Sequence, residues 1–312
     1  MRAFVFPGQG SQSVGMGAAL AAASLAAREV FQEVDEALGQ NLSRLMAEGP
    51  EDALMLTANA QPAIMANAIA VLRVLEREGG VSLADKADFV AGHSLGEYTA
   101  LWPRGALDLA TAARLLLRLR GAAMQAAVPV GEGAMAALLG ADLARARAIA
   151  DAAAEGEVCT VANDNDPSQV VISGARAAIE RAVAIAKDHG ARRAVLLPVS
   201  APFHCPLMRP AAEAMAEALA AVNLQAPLVP VYANVTAAPV ADPDTIRALL
   251  VEQVTGMVRW RESVLAMEAA GVSGFVELGG KVLGAMIKRT APDAAATSVV
   301  TMDDIEALVK ML

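Results

Sequence analysis

The chain has 312 residues, enough for one large core or two, and 55% of them are hydrophobic, much of that alanine, with aromatics at only 3%. Mean hydropathy is +0.43, yet no stretch of about 18 apolar residues is free of charge, which excludes a membrane-spanning helix. A net charge of −9 argues against nucleic acid and anionic membranes as partners.

In chain order, residues 2–6 (Arg-Ala-Phe-Val-Phe) predict a strand. It begins without any signal-peptide layout, so a cytoplasmic protein is expected. Residues 15–48 predict short helices, and 60–78 an amphipathic helix stopped by Gly79-Gly80. A strand over 87–91 runs directly into Gly92-His93-Ser94-Leu95-Gly96. Helix 108–124 follows, with Asp108 as its N-cap. The pattern then changes to strand 133–139, helix 142–154, strands 158–162 and 169–173, helix 175–189 and strand 194–197. That order is the split βαβ, ferredoxin-like plan. Helix 206–221, strand 228–232, helices 243–254 and 261–270, strand 274–278 and further helices resume the larger unit, with 238–243 as a loop.

The expected fold class is therefore α/β. Residues 1–128 and 198–312 form a large α/β-hydrolase-like domain with a nucleophile elbow, and 129–197 an inserted ferredoxin-like subdomain. A cleft between the two is the expected ligand site. Cys159 and Cys205 sit in apolar surroundings and read as buried thiols rather than a disulfide.

An apolar strand entering G-x-S-x-G is the pattern of a nucleophile elbow, a tight strand-to-helix turn that lifts the serine hydroxyl clear of the backbone. Small residues at 92 and 96 let the turn close. Ser94 is the candidate nucleophile. It needs a base within hydrogen-bond reach and donors for the oxyanion that develops. The chain holds three histidines. His93 adjoins the serine and should point away from the base position. His189 reads as the exposed end of a helix. His204, in the Pro-bounded loop after strand 194–197, is the candidate base. No nearby Asp or Glu is an obvious third member, so a backbone carbonyl could orient the imidazole. The oxyanion donors expected are the Leu95 N–H and Gln9, carried over the site by Pro7-Gly-Gln-Gly-Ser-Gln12. That Gly-rich loop could instead cradle phosphate, but it lacks the G-x-G-x-x-G spacing and the lysine of a P-loop.

F-P-G-Q-G-S-Q (6–12), G-H-S-L-G-E-Y (92–98), R-G-x-x-M-Q (120–125), N-D-N-x-P-x-Q-V-V-I-S-G (163–174), P-V-S-A-P-F-H (198–204) and V-R-W (258–260) follow one another in this order. Together they resemble the malonyl-CoA:acyl carrier protein transacylases of dissociated fatty acid synthesis, over most of the chain. The resemblance implies a ping-pong transfer: Ser94 takes malonyl from malonyl-CoA, and the phosphopantetheine thiol of acyl carrier protein then receives it. It implies Arg120 as the grip on the malonyl carboxylate, because a planar guanidinium holds a carboxylate by two parallel hydrogen bonds. It implies that the Gln253 carbonyl orients His204, and that Gln61 and Phe203 line the acyl pocket, Phe203 crowding a 2-methyl group. His93 joins the substrate-binding set. Coenzyme A thioesters and acyl carrier protein are the expected partners. No metal and no cofactor beyond the substrate are expected, and the chain is expected to be a monomer. Carrier protein is itself acidic, so a local basic patch is needed against the net charge; Arg192, Arg193, Lys281, Lys288 and Arg289 are candidates.

The motifs depart from the family in three places. Arg114-Leu-Leu-Leu-Arg-Leu-Arg-Gly121 is one residue longer than R-L-x-x-x-R-G, Glu277-Leu-Gly-Gly-Lys281 is one shorter than E-x-G-x-G-K, and Met257 replaces the proline before V-R-W. A π-type bulge before Arg120 would absorb the extra residue, turning Arg120 toward Ser94 and Arg118 toward the surface. Two other readings remain at this level: a serine hydrolase or thioesterase of the elbow type, and a non-catalytic docking module.

Overall fold

The computed structural model describes residues 1–102, 108–113 and 118–312. Its strands are β1 (Arg2–Phe6), β2 (Phe89–Gly92), β3 (Gly133–Leu139), β4 (Cys159–Asp166), β5 (Gln169–Ala175), β6 (Arg193–Leu196), β7 (Val231–Ala233), β8 (Ala238–Val240), β9 (Gly274–Leu278) and β10 (Ala295–Val299). They make two sheets, one of six strands in the order β10-β9-β1-β2-β7-β8 and one of four in the order β4-β5-β3-β6.

The large sheet is parallel except for β8, which runs antiparallel to β7. Parallel strands need helical crossovers, so both faces are covered and the central strands must be apolar throughout. β1 meets that demand. Phe4 and Phe6 enter the main core, Ala3 and Val5 the core on the opposite face, and all four are fully buried. Against the main-core face lies the helix Thr57–Arg77, apolar around most of its circumference and buried along most of its length. Helix Leu25–Leu38 is bounded by recognisable stops: the Ser24 side chain accepts from the Ala27 N–H, and Gly39 closes it in left-handed geometry at φ 60°.

The small sheet is wholly antiparallel and joins β3, helix Leu143–Ala154, β4, β5, helix Arg176–Ile185 and β6 in ferredoxin-like order. Its strands alternate in the manner of a sheet with two different neighbours. Ala134, Ala136 and Leu138 pack under the two helices, whereas Met135, Ala137 and Val171 face the main core. The two sheets are tied along β4. Val258 donates its N–H to the Ala162 carbonyl at 2.8 Å and accepts from the Asp164 N–H at 2.9 Å. Beside this short bridge, the fully buried carboxylates of Asp164 and Asp166 each meet an arginine of the large unit, Arg261 and Arg289, at 2.8 Å. Among the described residues no helix is long and apolar enough to cross a membrane.

Three expectations need revision. The segment after residue 278 contributes strand β10 at the sheet edge as well as helices, and β8 falls in a stretch expected to be loop. Both are short edge strands whose pairing partner, not their own pattern, makes them strands. The helix expected over 108–124 is not uniform. Asp108 caps its start by accepting from the Thr111 N–H, and α-helix is found over Leu109–Thr111 and Leu119–Ala127. Ala112, Ala113 and Arg118 have π-helical backbone. The bulge was expected between Arg114 and Arg120; residues 114–117 lie outside the described residues, and Arg118 carries the π geometry within that interval.

Candidate active site

β2 ends at Gly92 and a short helix, Gly96–Ala100, begins four residues later. The turn between them is tight enough that a Cβ on Gly92 would lie 1.9 Å from the Gly96 carbonyl, and one on Gly96 2.3 Å from the Phe6 carbonyl. Only glycine fits at either place. Ser94 sits between them at φ 55°, a left-handed conformation costly for a side-chain-bearing residue. Asn234, just after β7, holds it there: its Oδ1 accepts the Ser94 N–H at 2.7 Å and its Nδ2 donates to the Gly92 carbonyl at 2.7 Å.

His204 approaches from the loop between β6 and the helix Arg209–Ala220, also at positive φ, 58°. Its Nε2 lies 2.8 Å from Ser94 Oγ and its Nδ1 2.8 Å from the Gln253 backbone carbonyl. A carbonyl only accepts, so Nδ1 carries the proton and Nε2 presents a lone pair to the serine hydroxyl. Burial, and after it the Arg120 charge, push the imidazole down to about 3, so it is neutral at physiological pH. The pair has the geometry of an activated nucleophile with a backbone oxygen where a triad acid would stand.

Arg120 is 1% exposed, and both its terminal nitrogens find acceptors. Nη1 donates to Gln61 Oε1 at 2.8 Å, and Nη2 to Gln253 Oε1 at 2.8 Å and to Ser94 Oγ at 3.3 Å. The Tyr98 ring lies under it, 5.5 Å from the guanidinium carbon. Gly121 lets this happen: a Cβ there would lie 2.7 Å from the Thr57 carbonyl, so only glycine brings the helix close enough for Arg120 to reach inward. Arg118, two residues earlier, instead bonds Gln40 Oε1 at 2.6 Å.

The remaining sequence candidates converge on the same cleft, a cavity of about 230 Å³ whose lining includes Gln9, Gln61, His93, Leu95, Phe203 and Met135. Leu95 opens the short helix, so its N–H has no intrahelical acceptor. Gln9 accepts from Thr57 Oγ1 at 3.1 Å through its amide oxygen, which leaves its amide nitrogen as the donor. His93 turns away from the base, with Nε2 2.8 Å from Asn165 Oδ1 and its ring against Trp260. Burial lowers its pKa, so it too is neutral.

Sequence reasoning missed Glu97, Asn234 and Asn165. Glu97 is 2% exposed, and its Oε2 accepts from Gln253 Nε2 at 2.7 Å and from the Asn234 N–H at 3.1 Å. Burial raises it to about 7, against the opposing pull of Gln253, Asn234 and Arg120. Its signal was present, an acidic residue inside G-H-S-L-G-E-Y on a helix with no exposed face; Asn234 gave none. Of the basic residues considered for a partner patch, Arg289 is engaged with Asp166 and Lys288 donates to the Ala294 carbonyl.

Residues 3–302 match the acyl transferase domain family. The chain is 46% identical over 298 residues to the malonyl CoA-acyl carrier protein transacylase of Escherichia coli (strain K12), covering 95% of each. Among solved structures it is similar to the acyl-carrier-protein-S-malonyltransferase of Bartonella henselae, with 53% identity, a TM-score of 0.96, and coverage of 99% of this chain and 98% of that one. It is also similar to a malonyl-transacylase in complex with its type II PKS acyl-carrier protein, with 39% identity, a TM-score of 0.95, and coverage of 100% and 99%.

Proposed function

The chain belongs to the acyl transferase family, and from that membership together with its cleft we infer how it works. It is an enzyme that moves malonyl groups from malonyl-CoA to acyl carrier protein. The observation that carries the residue-level reading is a single oxygen, Ser94 Oγ, held 2.8 Å from a neutral imidazole nitrogen and 3.3 Å from a buried guanidinium.

His204 Nε2 takes the Ser94 proton as Oγ attacks the thioester carbonyl. The oxyanion of the tetrahedral intermediate sits on the Leu95 N–H and the Gln9 amide, donors that need no reorganisation as charge develops. Collapse expels the coenzyme A thiolate, which takes the proton from the imidazolium. A malonyl-serine ester remains, its free carboxylate held by Arg120. The carrier's phosphopantetheine thiol then gives its proton to His204, attacks the ester, and Ser94 leaves with that proton restored. The Gln253 carbonyl stabilises the imidazolium in both halves. Gln61 holds Arg120, and Phe203 and His93 bound the acyl pocket.

No bond is oxidised and every proton has a base, so the reading calls for no metal and no redox cofactor. We place the enzyme in the cytoplasm as a monomer, with thioesters and carrier protein as partners and neither nucleic acid nor membrane, in keeping with the net charge of −9. A buried arginine at the nucleophile favours transfer of a charged acyl group over simple ester hydrolysis.

Mass spectrometry after mixing with malonyl-CoA tests this. A malonyl adduct on the peptide holding Ser94, discharged by carrier protein and absent in Ser94→Ala, is expected. Release of free malonate faster than transfer, or transfer by Ser94→Ala at the wild-type rate, would overturn the mechanism.

A further inference from the structure

Gln253 stands at the centre of the site and is committed through both its backbone and its side chain. Its backbone carbonyl holds His204 Nδ1, its Oε1 holds Arg120 Nη2, and its Nε2 reaches both the Ser94 carbonyl at 3.0 Å and Glu97 Oε2 at 2.7 Å. A primary amide can be turned over, exchanging its donor and acceptor ends. Turned over here, it would aim N–H groups at the Arg120 donors and an oxygen at a carboxylate. Glu97 makes that orientation untenable, since its Oε2 already accepts a backbone N–H, that of Asn234, and so meets Gln253 as an acceptor. The Asn234 bond, at 3.1 Å, also ties the carboxylate to the residue that braces the elbow.

We propose that Glu97 is a positioning residue for acyl selectivity, locking the Gln253 amide so that Arg120 keeps its guanidinium aimed at the acyl carboxylate beside Ser94. This rests on the reading of Arg120 given above. Glu97 touches neither substrate nor reacting atoms; it acts through Gln253.

The test is the ratio of kcat/KM for malonyl transfer to that for acetyl transfer, measured for wild type, Glu97→Ala, Glu97→Gln and Arg120→Ala. Acetyl brings no carboxylate, so a general loss of packing lowers both rates and leaves the ratio unchanged. Glu97→Ala is expected to lower the ratio roughly tenfold or more, the worth of a hydrogen bond to a charged group. Glu97→Gln offers an oxygen to the same two donors and should restore most of it. If Glu97→Ala does not fold, Glu97→Asp, one methylene too short to reach both donors, should move the ratio in the same direction. An unchanged ratio in these variants while Arg120→Ala abolishes it overturns the proposal alone. An unchanged ratio in Arg120→Ala overturns the reading beneath it.

Discussion

The pH dependence of acylation gives the most direct check on how His204 is tuned. An ordinary imidazole, with a pKa near 6.5, would be only about 3% neutral at pH 5 and so would cost the reaction roughly 25-fold relative to pH 7. His204 is pushed to about 3, first by burial and then by Arg120, so at pH 5 it is still almost wholly in the basic form. Acylation of Ser94 by acetyl-CoA, followed as kcat/KM by rapid quench between pH 5 and 8, should therefore fall by less than a few-fold, since that parameter reports the free enzyme. Glu97, raised to about 7, titrates inside the same window, so the profile is repeated in Glu97→Gln to separate the two groups. Arg120→Gln removes the second cause of the depression. Its acid limb should move upward without reaching 6.5, because burial remains. A drop of tenfold or more from pH 7 to 5 in both the wild type and Glu97→Gln would refute the assignment of a neutral, desolvated base.

Three further outcomes are expected. Arg120→Ala should cripple malonyl transfer and spare or raise acetyl transfer, while Arg118→Ala, whose partner is Gln40, should change neither; the reverse pattern in paired acyl-transfer assays would place the bulge wrongly. Gln9→Ala should lower kcat roughly 100-fold with little change in KM, the usual loss for one oxyanion donor; a pure KM defect in steady-state kinetics would make Gln9 a substrate-positioning residue instead. Stability should be nearly level between pH 4.5 and 6.5 as far as His204 and Glu97 are concerned, because His204, depressed from 6.5 to about 3, loses stability as pH falls, while Glu97, raised from 4.5 to about 7, loses it as pH rises. Glu97→Gln should expose the first effect, at most about 3 kcal/mol lost over those two units, read as a shift of the urea midpoint that the wild type lacks.

The parts of the site that could be read from the sequence are those whose chemistry is local. A strand, two glycines and a serine make an elbow by steric necessity, and the same necessity is visible in the 1.9 Å that would separate a Gly92 Cβ from Gly96. The order of elements between residues 133 and 197 announced the small sheet. β10 and β8 were lost because short edge strands take their conformation from a neighbour the pattern does not contain. Arg120 was named by its match to R-G-x-x-M, but its register rested on weighing an extra residue against a π turn, a backbone choice tied to where Gly121 must pack.

Glu97 and Asn234 show why the rest was hidden. Ser94 and His204 both hold left-handed backbone, at φ 55° and 58°, and each such residue costs on the order of 1–3 kcal/mol unless the surroundings impose it. For Ser94 the imposing groups come from elsewhere in the chain, since Asn234 braces the elbow from 140 residues away. Gln253 reaches the Ser94 carbonyl from 159 residues away and supplies the backbone oxygen that orients His204. Glu97, only three residues from Ser94, braces the same turn through those two distant partners, by accepting one N–H from each. A motif can name the nucleophile and the base because their identities are chemical requirements. It does not name a brace such as Asn234, because any donor or acceptor brought to the right place by the fold would serve, and that place exists only after the large sheet has assembled.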